Sequence, residues 1–380
     1  MTFPHIYLIA GEPSGDRLGA LLIQALRRKT RLECKISGIG GMEMQKMGLH
    51  SHFPMSELTV MGLAEILPRL PNLYKRIRET VRHILDSKPD VVVTIDAPDF
   101  TFRVIQQIRG ENIPIVHYVA PSVWAWKPWR AKKLAGLVDH LLTLLPFEPP
   151  YFEREGLKTT FVGHPVIESG ADKGKGNDFR QHYGISPEEK ILCLLPGSRP
   201  SEVSRIMPIL KEIVLRLDNL NLNLFIPTLD TVGVLIGKEI KSWKNTPIII
   251  NNDEEKYSAF AASDAAIAVS GTVALELAIA KVPYLTIYKF NPITALIGRA
   301  MIKTPFVNIV NILLGCEVVP ELIQKNCKSD IIIPYLLDFF DNPNSANAQV
   351  VRFNEAINQL RTGNQNPSDR AAKVVLDLIQ

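Results

Sequence analysis

With 380 residues, 46% of them hydrophobic and 22% charged, the chain lies outside the disordered classes and has material for two cores of ordinary size. Its 43 Lys and Arg against 39 Asp and Glu leave a net charge of +4, too mild for wholesale nucleic-acid binding yet compatible with an anionic surface or substrate. The four cysteines, Cys34, Cys193, Cys316 and Cys327, form no Cys-x-x-Cys pair, which argues against a disulfide framework or a zinc site and points to a reducing compartment.

Ile6 to Ala10 predicts a short apolar strand, Gly11-Glu12-Pro13-Ser14-Gly15-Asp16 a loop, and Leu18, Leu21, Leu22, Ala25 and Leu26 the apolar stripe of a helix. Strand, glycine-rich loop, helix is the opening of a doubly wound domain. The loop has neither the Gly-x-Gly-x-x-Gly spacing of a dinucleotide site nor the terminal Lys-Ser/Thr of a P-loop, so neither NAD nor ATP is favoured. No basic region precedes an apolar one at the start, and no apolar run reaches the roughly 20 residues of a membrane span. The expected location is cytosolic, at most on a membrane face.

Residues 58–71 are rich in large apolar side chains, with Val60, Met61, Leu63, Ile66, Leu67 and Leu70 among them, but are broken by Gly62, Pro68 and Pro71 and followed by Lys75, Arg76, Arg78 and Arg82. This is either a kinked core helix or an exposed apolar ridge with a basic collar that dips into an anionic bilayer interface. Pro89 to Ile95 predicts a buried strand ending in Asp96-Ala97-Pro98-Asp99, two carboxylates suited to general-base work or to capping the next helix. Ile113 to Val119 is the next strand. Three of the four tryptophans, Trp124, Trp126 and Trp129, fall in the loop after it, to line a binding site or to cover the sheet end. Strands over Leu137–Leu145 and Thr159–Val162 follow. His164 reads as structural, and the small, polar stretch Ser169–Asn177 has linker composition.

The second half repeats the rhythm with strands at Ile191–Leu195, Leu222–Ile226, Pro247–Asn251, Ala265–Val269 and Tyr284–Tyr288, a second open α/β sheet. Pro196-Gly197-Ser198-Arg199 after the first of these is either a grip for a diphosphate or an ordinary turn. Ser270-Gly271-Thr272 starts an alanine-rich helix whose free N–H groups suit a phosphate, with Glu276 one turn along to hold ribose hydroxyls; a plain cap and a first-turn charge is the alternative. An amphipathic helix from Arg370 to Ile379, capped by Ser368-Asp369, closes the chain.

Taken in order, Ala10–Asp16, Val60-Met61-Gly62, Ile95–Phe100, His117–Trp126, Leu194–Arg199 with Glu202-Val203, Ser270–Thr272 with Ala274–Glu276, and Val319–Leu322 resemble the lipid-A-disaccharide synthase family over nearly the whole chain. The resemblance implies a GT-B fold: two doubly wound Rossmann-like domains facing a cleft, an acceptor domain of residues 1–168 completed by a last helix 368–380, and a UDP-sugar domain of 178–360. It implies inverting transfer of 2,3-diacylglucosamine from UDP-2,3-diacylglucosamine to the 6-hydroxyl of 2,3-diacylglucosamine 1-phosphate, giving a β-1,6 disaccharide and UDP. By the same resemblance Asp96 is the general base, with Asp99 the rival, and Arg199 neutralises the departing UDP, so no metal ion or other cofactor is expected. Gly197, Ser198, Ser270, Gly271, Thr272, Glu276 and Asn311 then hold nucleotide sugar, and Glu12 and Ser14 face the cleft from the acceptor side. Acylated substrates favour the ridge reading, with the protein peripheral on the cytoplasmic face of a Gram-negative inner membrane. No nucleic-acid partner is expected; a homodimer is one open oligomeric state.

Overall fold

Val-Val-Val-Thr-Ile at 91–95, Ile-Leu-Cys-Leu-Leu at 191–195 and Ala-Ala-Ile-Ala-Val at 265–269 are almost continuously apolar, the pattern of parallel strands covered by helices on both faces, and every one of these residues is buried. The computed structural model describes residues 3–58, 63–290 and 304–379, and for residues 63–70 the backbone alone. They divide into two units, Met1–Pro165 with Leu360–Gln380, and Val166–Gln359.

The first unit runs β1 (His5–Ala10), α1 (Pro13–Lys29), β2 (Lys35–Ile39), α2 (Met42–Lys46), α3 (Leu63–Ser87), β3 (Val91–Ile95), α4 (Pro98–Ile108), β4 (Ile115–Tyr118), α5 (Arg130–Ala135), β5 (His140–Thr143), α6 (Pro149–Glu153) and β6 (Thr159–Phe161). Its sheet has the order β2-β1-β3-β4-β5-β6, with parallel pairing throughout, so strand order reverses between β1 and β3. One face packs against α3 and α4 through Tyr7, Ile77, Ile84 and Ile105. The other packs against α1.

The second unit runs α7 (Gly176–Tyr183), β7 (Ile191–Leu195), α8 (Pro200–Arg216), β8 (Asn223–Pro227), α9 (Asp230–Ile240), β9 (Ile248–Ile250), α10 (Asp253–Ala262), β10 (Ala265–Val269), α11 (Thr272–Ile279), β11 (Tyr284–Tyr288), α12 (Ile309–Leu314), β12 (Glu321–Ile323), α13 (Ser329–Asp341) and α14 (Pro343–Gln359). The order β12-β11-β10-β7-β8-β9, again parallel, reverses between β7 and β10. In open sheets of this kind ligands bind at the carboxyl ends beside such a reversal.

Helix α15 (Pro367–Asp377) returns to the first unit, where Ala371, Ala372 and Val375 share a buried cluster with Leu22, Ile23 and Leu26 of α1. Arg28 and Asp369 pair at 2.7 Å, and Arg370 donates to the Phe161 carbonyl at 2.9 Å.

The polar stretch with linker composition is folded into the second unit. Ala171–Lys173 forms a 3₁₀ turn, α7 starts at Gly176, and the Lys175 N–H donates to Ser258 Oγ at 3.2 Å. Small polar residues mark a close backbone approach here as readily as a loose tether. The first unit accordingly ends at Pro165, and the chain returns to it at Leu360, ahead of the expected 368. His164 is buried, its N–H donates to the Leu360 carbonyl at 3.2 Å, and burial lowers its pKa to about 4.

Helix α3 runs through Pro68 and Pro71 as one segment. Of the expected ridge, Val60 and Met61 lie outside the described residues, as do the side chains of Leu63, Ile66, Leu67 and Leu70. Of the expected basic collar, Lys75, Arg78 and Arg82 are exposed, and with Pro71, Tyr74 and Glu79 they line a groove of about 270 Å³. Arg76 is turned inward. It pairs with Glu57 at 2.8 Å and Glu79 at 2.7 Å and lies over the Phe53 ring. No described helix is long and apolar enough to cross a membrane.

Candidate active site

In the first unit Ala10 is opposite Ile95 and Ile95 opposite Tyr118, so the loops after β1, β3 and β4 leave the sheet side by side. Gly11 makes this possible: a Cβ there would lie 2.6 Å from the Ala97 Cβ. Pro13 and Pro98 each occupy the first turn of the following helix, where their fixed φ starts it at once. Asp16, the last residue of the glycine-rich loop, is spent on structure. Its carboxylate accepts from the N–H groups of Gly41 at 2.8 Å, Glu43 at 2.9 Å and Met44 at 3.1 Å, capping α2.

Asp96 and Ala97 both have left-handed backbones, φ 51° and 48°, and Val119 of the adjoining loop has φ 84°. Three non-glycine residues in a sparsely populated region, at two adjoining strand ends, are a concentration of strain of the kind found at functional sites. Hydrogen bonds hold it in place: Asp96 N–H to the Tyr118 carbonyl at 3.0 Å, and Thr101 Oγ1 to the Asp96 and Ala97 carbonyls at 3.1 and 3.0 Å. The Asp96 carboxyl is half-buried, and burial raises its pKa while a hydrogen bond from the Ala97 backbone opposes the shift. Asp99 is exposed in the first turn of α4, Ser14 is exposed in that of α1, and Glu12 is half-buried just before α1. The expected acceptor-side residues therefore gather at one sheet edge, with the two aspartates in different environments.

Behind the tryptophan loop lies a carboxylate that motif reading passed over. Glu148 is 4% exposed and accepts from Trp124 Nε1 at 3.2 Å and from the N–H groups of Leu144 and Leu145 at 3.2 and 3.0 Å. Burial nonetheless raises its pKa to about 7. Trp124 also meets Phe147 edge-on at 5.2 Å. The first tryptophan thus roots the loop, and only Trp126 and Trp129 are displayed to solvent.

In the second unit Leu195 is opposite Ala268, which brings the loops after β7 and β10 together. Gly197 has φ 111°, and a Cβ there would sit 2.8 Å from a Glu202 carboxylate oxygen. Ser198 is exposed, and so is Arg199, whose Nη1 lies 3.5 Å from Glu202 Oε1. Tyr288 donates its hydroxyl to the same oxygen at 2.9 Å; burial, reinforced by Glu202, moves that phenol to about 12. Glu202 and Tyr288 thus form a backing for the arginine. No side chain caps the first turn of α11, after Gly271, and Thr272 is exposed there. Ser270 is otherwise engaged, donating to the Val307 carbonyl at 2.8 Å.

Glu276 is 8% exposed and its two carboxylate oxygens each lie 3.2 Å from Lys256 Nζ, with Tyr257 OH donating at 3.1 Å. The capping of α10 by Asn252, whose Oδ1 accepts from the Glu255 N–H at 2.7 Å, fixes where Lys256 and Tyr257 point. Asn311, expected at the nucleotide, is engaged within the unit. It is completely buried, its Oδ1 accepts from the Val318 and Val319 N–H groups at 2.8 and 2.9 Å, and its Nδ2 donates to the Val319 carbonyl and Glu321 Oε1 at 2.8 and 2.9 Å. With its side-chain donors and acceptors all paired inside the unit, it holds the β12 approach. Glu321 completes that knot by accepting from the N–H groups of Val307 and Asn308, each at 2.9 Å.

The family model for lipid-A-disaccharide synthetase matches residues 6–375. The lipid-A-disaccharide synthase of Rhodospirillum centenum is 47% identical over 380 residues, covering 98% of this chain and 94% of the relative. That of Paramagnetospirillum magneticum is 44% identical, covering 99% and 97%. Among solved structures, the S. aureus MnaA-UDP co-structure superposes with a TM-score of 0.64 at 16% identity, covering 99% of this chain and 97% of that one. Acinetobacter baumannii MurG gives 0.58 at 13%, covering 98% and 99%. At such identities these structures carry the fold, GT-B. Spanned by the family model and by near-full-length relatives, the chain belongs to the lipid-A-disaccharide synthase family and is a glycosyltransferase that forms the lipid A disaccharide in lipid A biosynthesis.

Proposed function

We propose that Asp96 is the general base of this transfer, taking the proton from the 6-hydroxyl of 2,3-diacylglucosamine 1-phosphate as the oxygen attacks the anomeric carbon of UDP-2,3-diacylglucosamine with inversion. A sugar hydroxyl is a poor nucleophile until it loses that proton. The observation that carries the reading is the half-buried Asp96 carboxyl, raised in pKa by burial and set on strained backbone at the strand-order reversal. Asp99, exposed on α4, lacks that setting. As the bond breaks, negative charge develops on UDP. Arg199 meets it with a guanidinium matched to phosphate in shape and charge, backed by Glu202 and Tyr288. The uncapped start of α11 at Gly271 and Thr272 adds N–H groups toward the diphosphate. Glu276 takes the ribose hydroxyls in exchange for its present partners Lys256 and Tyr257.

With Arg199 in that role the transfer needs no divalent cation, so EDTA leaves the rate unchanged. Release of UDP from the two substrates in detergent, with Asp96→Asn alongside, tests the base. Loss of release with UDP binding intact supports it, and survival of release transfers the role to Asp99. We also place the enzyme as a peripheral protein on the cytoplasmic face of the inner membrane, attached by the start of α3 and its exposed cations Lys75, Arg78 and Arg82. Serine at Leu63, Ile66 and Leu67 then reduces co-sedimentation with vesicles; unchanged co-sedimentation removes this attachment.

A further inference from the structure

Between Glu111 and Asp139 the sequence has no acidic residue, yet it holds Lys127, Arg130, Lys132 and Lys133 together with Trp126 and Trp129. The structure gathers these into one surface of the first unit. Trp126 is 37% and Trp129 59% exposed, unusual for the side chain with the largest apolar area. Lys127 Nζ lies 4.3 Å and the Arg130 guanidinium carbon 5.0 Å from the Trp126 ring centre. Lys132 and Lys133 are exposed on the short helix that follows, and the Lys133 N–H bonds to the Trp129 carbonyl, which places that lysine one turn beyond the indole. None of the four cations takes part in an ion pair among the described residues.

The loop is ordered in advance. Ala125 and Trp126 N–H groups bond to the Ser122 carbonyl, Arg130 to that of Lys127 and Ala131 to that of Pro128, while Trp124 is tied to Glu148. Two indoles held outward therefore cost little entropy to immobilise. Indoles ringed by uncompensated cations match the boundary between headgroup and acyl chain, where an amphipathic ring spans the polar gradient and cations meet lipid phosphate. Because the sheet is parallel, this loop after β4 lies at the same edge as the loops after β1 and β3. The Leu63 end of α3 lies toward that edge as well, since Ser87 leads almost directly into the start of β3.

We propose that the loop Pro121–Lys133 is a second membrane anchor, in which Trp126 and Trp129 insert at the interface of an anionic bilayer and Lys127, Arg130, Lys132 and Lys133 bind its headgroup phosphates. It extends the membrane attachment argued above, and the two fail separately. The full chain is added to phosphatidylcholine vesicles with and without phosphatidylglycerol, a part of the lipid carrying brominated acyl chains that quench nearby indoles. Expected are quenching on the anionic vesicles, its loss per bound molecule in W126S/W129S, and a drop in vesicle binding of about fivefold per cation, roughly 25-fold, in K132A/K133A at low salt. Serine at Leu63, Ile66 and Leu67 lowers the amount bound while leaving the quenching of each bound molecule in place. Undiminished quenching in W126S/W129S, or undiminished binding in K132A/K133A, overturns the anchor. So does a rise in KM for the phosphorylated acceptor in detergent with vesicle binding intact, which assigns the lysines to the acceptor phosphate instead.

Discussion

The two units share an all-parallel sheet and a reversal of strand order, and they furnish the reversal with opposite chemistry. In the first, the loops after β1 and β3 present Glu12, Asp96 and Asp99, and the strained backbone at Asp96 and Ala97 sets a carboxyl in partial burial. In the second, the loops after β7 and β10 present Gly197, Ser198, Arg199 and the uncapped start of α11, which together offer N–H groups and a guanidinium. A carboxyl with a raised pKa suits moving a proton, and donors with a fixed cation suit holding a diphosphate. The fold supplies the same shelf twice. On the reading proposed above, the loop residues decide which half handles the nucleophile and which the leaving group.

If that division holds, the largest effect comes from Asp96. Asp96→Asn keeps the shape and is expected to lower kcat for UDP release by about 10²–10⁴-fold, with UDP affinity unchanged by calorimetry because the residue belongs to the other half. The acid limb of the rate profile should follow the same carboxyl: it must be ionised to act, so activity falls as pH drops through a value lying above the usual range for an aspartate. A larger loss in Asp99→Asn than in Asp96→Asn would break the assignment. Next comes Arg199→Ala. Losing a charged hydrogen-bond donor to phosphate is worth about 1.5–3 kcal/mol, so UDP affinity should weaken by about 10–150-fold, with Arg199→Lys recovering only part because a point charge replaces a fork. Unchanged UDP affinity in Arg199→Ala would leave the second shelf without its cation.

How far this was legible in the sequence varies with the reach of the interaction involved. Strands buried on both faces are local apolar runs, and Ile191–Leu195 or Val91–Ile95 can be read without a partner. So can the loops, because glycine, proline and charge at a strand's end carry local constraints: Gly11 against Ala97 is needed for two loops to touch. The partnerships of the charged groups are different. Lys256 and Tyr257 reach Glu276, Tyr288 reaches Glu202 and Trp124 reaches Glu148 only after long segments of chain have folded between them. Nothing in the spacing distinguishes an asparagine that meets a nucleotide from one that locks a turn. Asn311, expected at the nucleotide, forms one buried knot with Glu321. The polar Ser169–Asn177 misleads for a related reason, since small residues serve close packing as well as loose tethers.

That knot gives a smaller test on the second side of the comparison. Asn311→Leu would strand the Val318 and Val319 N–H groups and the Val319 carbonyl in the interior, at a cost of about 2–4 kcal/mol. Thermal unfolding should register the loss in full, whereas UDP affinity at a temperature where the variant is folded should stay within about twofold, well below a decade. A loss of UDP affinity out of proportion to stability would return Asn311 to the nucleotide site.

The smallest effect separates the two units by their response to acid. Seven of the eight histidines lie in the first unit, and burial, the largest cause in each case, lowers the pKa of His117 to about 3 and of His140 and His164 to about 4 from the ordinary 6.5. The unfolded chain therefore binds protons first. The contribution of these histidines to stability is present above about pH 6.5 and is lost progressively as pH falls toward their folded values of about 3 to 4, because each buried ring must then charge or leave. Glu148 and Asp96 work in the other direction, since their raised values favour the protonated, folded form as pH falls. His5 and His83, also lowered by burial, bring the opposing set to five. His140 is the most exposed to this cost. Its Nε2 is satisfied by Thr160 Oγ1 at 2.8 Å, while the buried Nδ1 has no partner, so a charged ring would bury an unpaired N–H. Hydrogen exchange between about pH 7 and pH 5 should show β4, β5 and β6 losing protection ahead of β7 and β10, and His140→Gln should flatten that dependence. Earlier loss in the second unit would mean that charge within the first unit is better compensated than its buried imidazoles imply.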